Sequence, residues 1–167
     1  ASLHEVAMVR NLFPDAEIGS LEANLAVVRA FAALEDVLNA SLAPFGLTRT
    51  RYTVLRVLYM SEGRKLQMTE ISRRVNVTST NVTRLVDALE QQGLVERVAD
   101  PSDRRVTYAR LTPQGEALGR EVIPRTLDLV IDLWKVMTPA EQAQVKTALT
   151  KFRLHLERHY LHKPTSA

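Results

Sequence analysis

The sequence predicts a mainly α-helical chain that carries one short β-hairpin. Three observations predict it. Apolar residues recur at spacings of three and four through most of the 167 residues. Helix-starting residues (Thr48, Thr78, Thr112-Pro113 and Thr138) stand directly before four of these stripes. Only in Leu94–Leu111 does the period change, to two β-branched segments flanking an Asp-Pro turn.

From Leu21 to Leu42, Leu25, Val28, Phe31, Leu34, Leu38 and Leu42 form a helical stripe, widened by Ala23, Ala26, Ala30, Ala32 and Ala33. A helix this apolar should meet partners on more than one side. Pro44, Phe45 and Gly46 end it. Thr48 caps a second helix with Tyr52, Leu55, Leu58 and Tyr59, and Gly63 is expected to close that one. After a short extended piece, a third helix begins near Met68-Thr69 and holds Ile71 and Val75. Asn76 follows it, a residue that tolerates the left-handed backbone of a tight turn.

Thr78 is the expected N-cap of a fourth helix. Its core stripe is Val82, Leu85, Val86 and Leu89, and Gly93 sits where a C-terminal glycine belongs. Leu94–Ala99 and Val106–Leu111 read as a hairpin with the exposed, basic tip Asp100-Pro101-Ser102-Asp103-Arg104-Arg105. Thr112-Pro113 opens a fifth helix, which Pro124 is expected to kink or interrupt. Beyond it, Leu127, Val130, Ile131 and Trp134 continue the apolar pattern. Thr138-Pro139-Ala140-Glu141 is a capping box for a sixth helix with Val145, Leu149, Phe152, Leu156 and Tyr160.

Composition narrows the function. The chain has no cysteine, which excludes disulfides, thiol nucleophiles, thiol redox sensing and thiolate metal sites. No apolar run approaches the roughly 20 residues that span a bilayer, and Ala1–Arg10 lacks the pattern of a signal peptide, so a soluble cytoplasmic protein is expected. There is no glycine-rich phosphate loop, HExxH or GxSxG, so an enzyme is not expected. The formal net charge of +3 is small but uneven: −4 over residues 1–48, +5 over 49–110 and +2 over 111–167. Eleven of the twelve basic residues in the middle block are arginine, whose planar fork suits phosphates and base edges.

Short helix, tight turn, helix and two-stranded hairpin in this order make the winged helix-turn-helix plan. In that plan the second helix enters the DNA major groove with its N-terminal end leading, and the wing reaches the backbone or the minor groove. The helix after Thr78 offers Ser79, Thr80, Asn81, Thr83 and Arg84 on its leading face, short polar groups plus one arginine. Its N-terminus adds free N–H groups and the positive dipole end. Singly, Thr78 and Ser79 read more readily as caps and Asn81 as a solvated residue; together with the basic block and the hairpin they read as a DNA contact face.

The stretch from Val77 to Arg97, including Thr78-Ser79-Thr80-Asn81-Val82-Thr83-Arg84, resembles the recognition helix and first wing strand of MarR-family transcriptional regulators. Asp100–Arg105 resembles that family's wing tip, and Leu111-Thr112-Pro113-Gln114-Gly115 its exit into the next helix. The likeness is strong over residues 66–116 and compatible in layout over 20–160. Ser72 departs from it, standing where a small apolar residue is expected. The resemblance implies a winged helix-turn-helix lobe at 48–111 and a helical dimerisation domain at 1–47 and 112–167. It also implies a homodimer that reads a pseudo-palindromic double-stranded DNA operator, usually to repress. The apolar stripes themselves support the dimer, because they exceed what a lobe of this size needs to cover. Of Arg104 and Arg105, the resemblance implies that one enters the minor groove or grips phosphate. The other pairs with Asp100 or Asp103, and the sequence leaves open which does which. Arg51, Arg73 and Arg74 are candidates for phosphate contact or are solvated surface residues.

Other signals point elsewhere. His155, His159 and His162, at i, i+4 and i+7, could ligate zinc or nickel. They would suit a metal-responsive regulator, but a solvated or dimer-packed role is favoured and no metal site is assigned. A winged-helix module for protein or RNA contact is the other alternative. Many members of the family bind small aromatic or phenolic acids. Arg29, Phe31, Tyr52, Arg56, Tyr59 and Trp134 could line such a site, with ordinary hinge packing as the plainer role. No cofactor is expected.

Overall fold

The structure, a computed structural model, describes residues 3–15, 17–100, 103 and 106–161. It is mostly helical with one small antiparallel sheet, as the sequence predicts. Two compact units form, Ala1–Ile123 and Pro124–Ala167.

The first unit opens with α1 (Leu3–Leu12), which the sequence pattern does not reveal. Then α2 runs over Ile18–Leu42. A 3-10 turn, Ala43–Phe45, and Gly46 at φ 68° stop it, as Pro44 and Gly46 require. In α3 (Arg49–Tyr59) the Thr48 hydroxyl accepts the Arg51 N–H at 3.3 Å, completing the expected cap. That helix ends at Tyr59 rather than at Gly63. Gly63 instead supplies a left-handed residue, φ 61°, inside a following 3-10 turn.

The extended piece before the third helix is β1 (Lys65–Gln67). It leads into α4 (Met68–Val75), whose C-cap Asn76 is left-handed at φ 55°, ψ 49°. Next come α5 (Ser79–Gln91), β2 (Val95–Ala99) and β3 (Thr107–Leu111). The sheet order is β1-β3-β2, and Lys65–Gln67 pairs with Arg110–Tyr108, 41 or more positions along the chain. This long-range pairing is invisible in local periodicity.

The core lies where α3, α4 and α5 meet the sheet. Val54, Leu55 and Leu58 of α3, Ile71 of α4 and Val86 and Leu89 of α5 are fully enclosed. Each such side chain contributes about 1.5–3 kcal/mol by leaving water. The predicted α5 stripe holds: Val82, Val86 and Leu89 are buried and Leu85 packs at its margin.

The helix α6 (Pro113–Trp134) is not interrupted at Pro124. A proline in mid-helix removes a single backbone donor, and the remaining bonds carry the helix through. The boundary between the two compact units nevertheless falls there.

In the second unit, α7 (Pro139–Leu156) follows and passes into a π-helical turn, Glu157–Leu161. Its capping box is complete: Glu141 Oε2 accepts the Thr138 N–H at 2.7 Å, and the Thr138 hydroxyl accepts the Glu141 N–H at 3.3 Å. The Thr138 backbone N–H and then its hydroxyl hold the Glu141 carboxyl below its ordinary range. Among the described residues α7 buries no side chain, and Leu149 and Phe152 are exposed. No helix among the described residues is long and apolar enough to cross a membrane.

Candidate nucleic-acid interface

The turn between α4 and α5 is held by Ser72 and Asn76. Ser72 Oγ donates to the Val77 carbonyl at 2.6 Å, while its own carbonyl accepts the Val77 N–H at 3.2 Å. The hydroxyl at this departure from the family pattern thus stitches the turn. Asn76 supplies the left-handed step that lets the chain reverse.

Thr78 then caps α5, its hydroxyl accepting the Asn81 N–H at 3.4 Å. Thr83 Oγ1 donates back to the Ser79 carbonyl at 3.1 Å. With Val82, Val86 and Leu89 anchored in the core, Thr78, Ser79, Thr80, Asn81, Thr83 and Arg84 are all exposed at the leading end. The sequence-predicted contact residues of this helix are therefore gathered on one solvent face, with free backbone donors at its start.

The far end of α5 is fixed by Gln92, whose Nε2 donates to the Gly46 carbonyl at 2.9 Å. The same carbonyl accepts Arg51 Nη1 at 3.4 Å, so Arg51 braces the α2–α3 loop. On α4, Arg73 and Arg74 both reach Glu70 at 2.6 Å. The hydrogen bond from Arg73, then that from Arg74, holds the Glu70 carboxyl below its ordinary range. The three side chains sum to one positive charge beside α5.

The wing is formed by β2 and β3 in the register Val95↔Leu111 to Ala99↔Thr107. At its tip the Asp100 N–H donates to the Val106 carbonyl at 3.0 Å, and the Asp103 N–H donates to Asp100 Oδ1 at 3.1 Å. Arg104 and Arg105 lie outside the described residues. Lower in the wing, Glu96 pairs with its cross-strand neighbour Arg110 at 2.8 Å.

Sequence reasoning missed Arg97. Its Nη1 lies 2.6 Å from Asp87 and 2.8 Å from Glu90, both on α5, and its backbone N–H donates to Glu90 Oε1 at 3.2 Å. The available signal was strand alternation, which puts Arg97 on the same side as buried Val95, facing α5.

The proposed effector residues are distributed over two helices of the first unit and one of the second. Arg29 and Phe31 are exposed on α2; Arg56 and Tyr59 are half-buried on α3, and Tyr52 is buried there. Trp134 is half-buried and belongs to the other unit. Two of the rings already face a cation: Arg49 lies 5.8 Å from the Phe31 centroid and Arg64 lies 4.2 Å from that of Tyr59. A pocket of about 380 Å3 is lined by Phe45, Gln92, Leu94, Gln114, Ala117, Leu118 and Glu121, none of the six.

The His155 and His159 rings lie with centroids 4.6 Å apart, tilted 44° to one another; His162 lies outside the described residues. Among the described residues no three metal-binding side chains gather.

Comparison with known proteins agrees with this geometry. The sequence profile of the MarR family matches residues 45–106. The chain is 31% identical over 132 residues to the HTH-type transcriptional regulator MhqR of Bacillus subtilis (strain 168), covering 79% of this chain and 89% of that protein. It is 30% identical to the transcriptional repressor MprA of Escherichia coli (strain K12), covering 71% and 68%. Among solved structures, AbsC, a MarR family transcriptional regulator from Streptomyces coelicolor, superposes with a TM-score of 0.73 at 30% identity, covering 87% of this chain and 97% of AbsC. Sco3205, a MarR family transcriptional regulator from the same organism in complex with DNA, superposes with a TM-score of 0.79 at 27% identity, covering 91% and 92%.

Proposed function

The chain belongs to the MarR family of transcriptional regulators, and from that premise we propose that it represses transcription by binding operator DNA as a homodimer. The observation that carries this reading is the leading end of α5. Ser79, Thr80, Asn81, Thr83 and Arg84 are exposed there, on a helix whose opposite face is locked in the core. The DNA complex of Sco3205 supports it.

In this reading α5 enters the major groove with its N-terminus leading, where its side chains meet base edges. The wing tip, with Asp103, Arg104 and Arg105, meets the adjacent minor groove or backbone. Arg51, Arg73 and Arg74 are further candidates for contact with phosphate. Residues 1–47 and 112–167 pair two copies. Exposed apolar groups on α2 (Val28, Phe31), α6 (Leu127, Ile131) and α7 (Leu149, Phe152) support that assignment, because a second copy is the simplest cover for them. Occupying a promoter excludes polymerase, and a small aromatic or phenolic acid that favours another spacing of the two lobes releases it. The chain acts in the cytoplasm, and no catalytic role is assigned to it.

The test is selection of bound fragments from genomic DNA with the purified full chain. The expected fragments share an inverted repeat with half-sites about 10 base pairs apart, one duplex turn. Their affinity should fall steeply with salt. Absence of salt-dependent duplex binding would overturn the reading and favour a protein- or RNA-contact module.

A further inference from the structure

We propose that Arg97 is a positioning residue that makes α5 electrically fit to approach DNA and ties the wing to it. The inference rests on the DNA-binding reading above. The charged side chains within α5 are Arg84, Asp87 and Glu90, so the helix alone carries a net negative charge. That is the wrong sign for an element laid against phosphates.

Asp87 and Glu90 stand three residues apart, on one side of the helix. Arg97 reaches across from β2 and bridges both through a single nitrogen, Nη1, at 2.6 and 2.8 Å. Its Nη2 donates to the Thr83 carbonyl at 3.5 Å, and its own backbone N–H donates to Glu90. One arginine therefore spans α5 from Thr83 to Glu90 and returns the helix to neutrality.

Acidic groups that would repel phosphate are thereby screened at short range. The root of the wing is also fixed to the helix, so wing tip and α5 meet the duplex as one body. The Arg97 side chain is 30% exposed and faces carboxylates, so its effect on DNA is indirect.

The test uses the full chain and a labelled mixed-sequence duplex, which needs no knowledge of the operator. Duplex affinity is measured against salt for five proteins: unmodified, Arg97→Ala, Arg97→Lys, Asp87→Asn/Glu90→Gln, and the triple variant that adds Arg97→Ala to that pair. Arg97→Ala is expected to weaken binding about tenfold at low salt by unmasking two carboxylates. In the Asp87→Asn/Glu90→Gln background the same change is expected to cost clearly less, because the ionic tie between β2 and α5 is already cut there and only the bare charge of Arg97 is lost. Arg97→Lys, which keeps the charge, should restore most of the affinity.

An equal loss in both backgrounds would overturn the proposal, since Arg97 would then touch DNA itself or simply hold the fold. No loss in either would overturn it too, while leaving the DNA-binding reading intact. If the unmodified chain shows no salt-dependent binding, the parent reading fails with it. The triple variant carries no unpaired charge at this site, so it keeps the comparison readable should Arg97→Ala fold poorly.

Discussion

Gly115 passes so close to Leu94 that a β-carbon on it would overlap the Leu94 carbonyl oxygen and lie 3.0 Å from the carbonyl carbon. That carbonyl also accepts the Thr112 N–H at 3.1 Å, and Thr112 Oγ1 both donates to the Gly93 carbonyl at 2.6 Å and accepts the Gly115 N–H at 3.0 Å. The first turn of α6 is thus laced to the root of the wing, backbone against backbone. Gly115→Ala is therefore expected to destabilise the fold by about 2–4 kcal/mol, because main chain rather than a movable side chain must give way. Denaturant unfolding checks it; a change below about 0.5 kcal/mol would mean the backbone relaxes freely.

The wing tip makes a separate electrostatic prediction. Arg104→Ala and Arg105→Ala should each weaken duplex binding. Loss of the one that grips phosphate should also reduce the slope of log affinity against log salt by about one, the change expected when one phosphate is no longer neutralised, whereas loss of the one that holds the tip through Asp100 or Asp103 should change the slope less. A titration across salt concentrations reads both quantities. Unchanged affinity and slope in both variants would remove the wing from the interface.

Asn81 and Arg84 should behave differently from the wing. Replacing either with alanine is expected to cost about 1–3 kcal/mol of discrimination between operator and random duplex. Non-specific affinity should change less. Competition binding measures the ratio; an equal loss on both duplexes would make these residues phosphate contacts.

The capping box of α7 should be pH-dependent. Glu141 is held below its ordinary value of 4.5 chiefly by the Thr138 backbone N–H and next by the Thr138 hydroxyl. A carboxylate depressed in the folded state stabilises above its unfolded value and loses that contribution as pH falls through the folded one. The unmodified chain should thus be more stable than Glu141→Gln at neutral pH, and the gap should close on acidification. Thermal midpoints of the two proteins across that range decide it; a gap independent of pH would contradict the assignment.

The sequence made the winged lobe readable because its signals are local. Thr78, Asn76 and Gly93 act within a few residues of themselves, as does the Thr138–Glu141 box outside the lobe, and each adopts the conformation its chemistry favours. The α5 stripe was readable for the same reason. The unread features depend on remote partners. β1 exists through pairing with β3, far along the chain. Arg97 looks like one arginine among eleven in its block until β2 is laid against α5. In α1, Met8 and Leu12 are 54% and 63% exposed, so these large apolar residues do not line up on a core-facing stripe. Pro124 shows the opposite limit, a local breaker overruled by the helix around it.

The bare flank of α7 has a consequence for how the molecule behaves at different abundances. A helix that fully buries none of its side chains within its own chain, and leaves Leu149 and Phe152 exposed, borrows much of its stability from whatever covers it. If the cover is another copy, dilution removes it by mass action. Scarcity would then erode the integrity of each molecule along with the occupancy of its operator, and the response to falling copy number would be steeper than binding alone dictates.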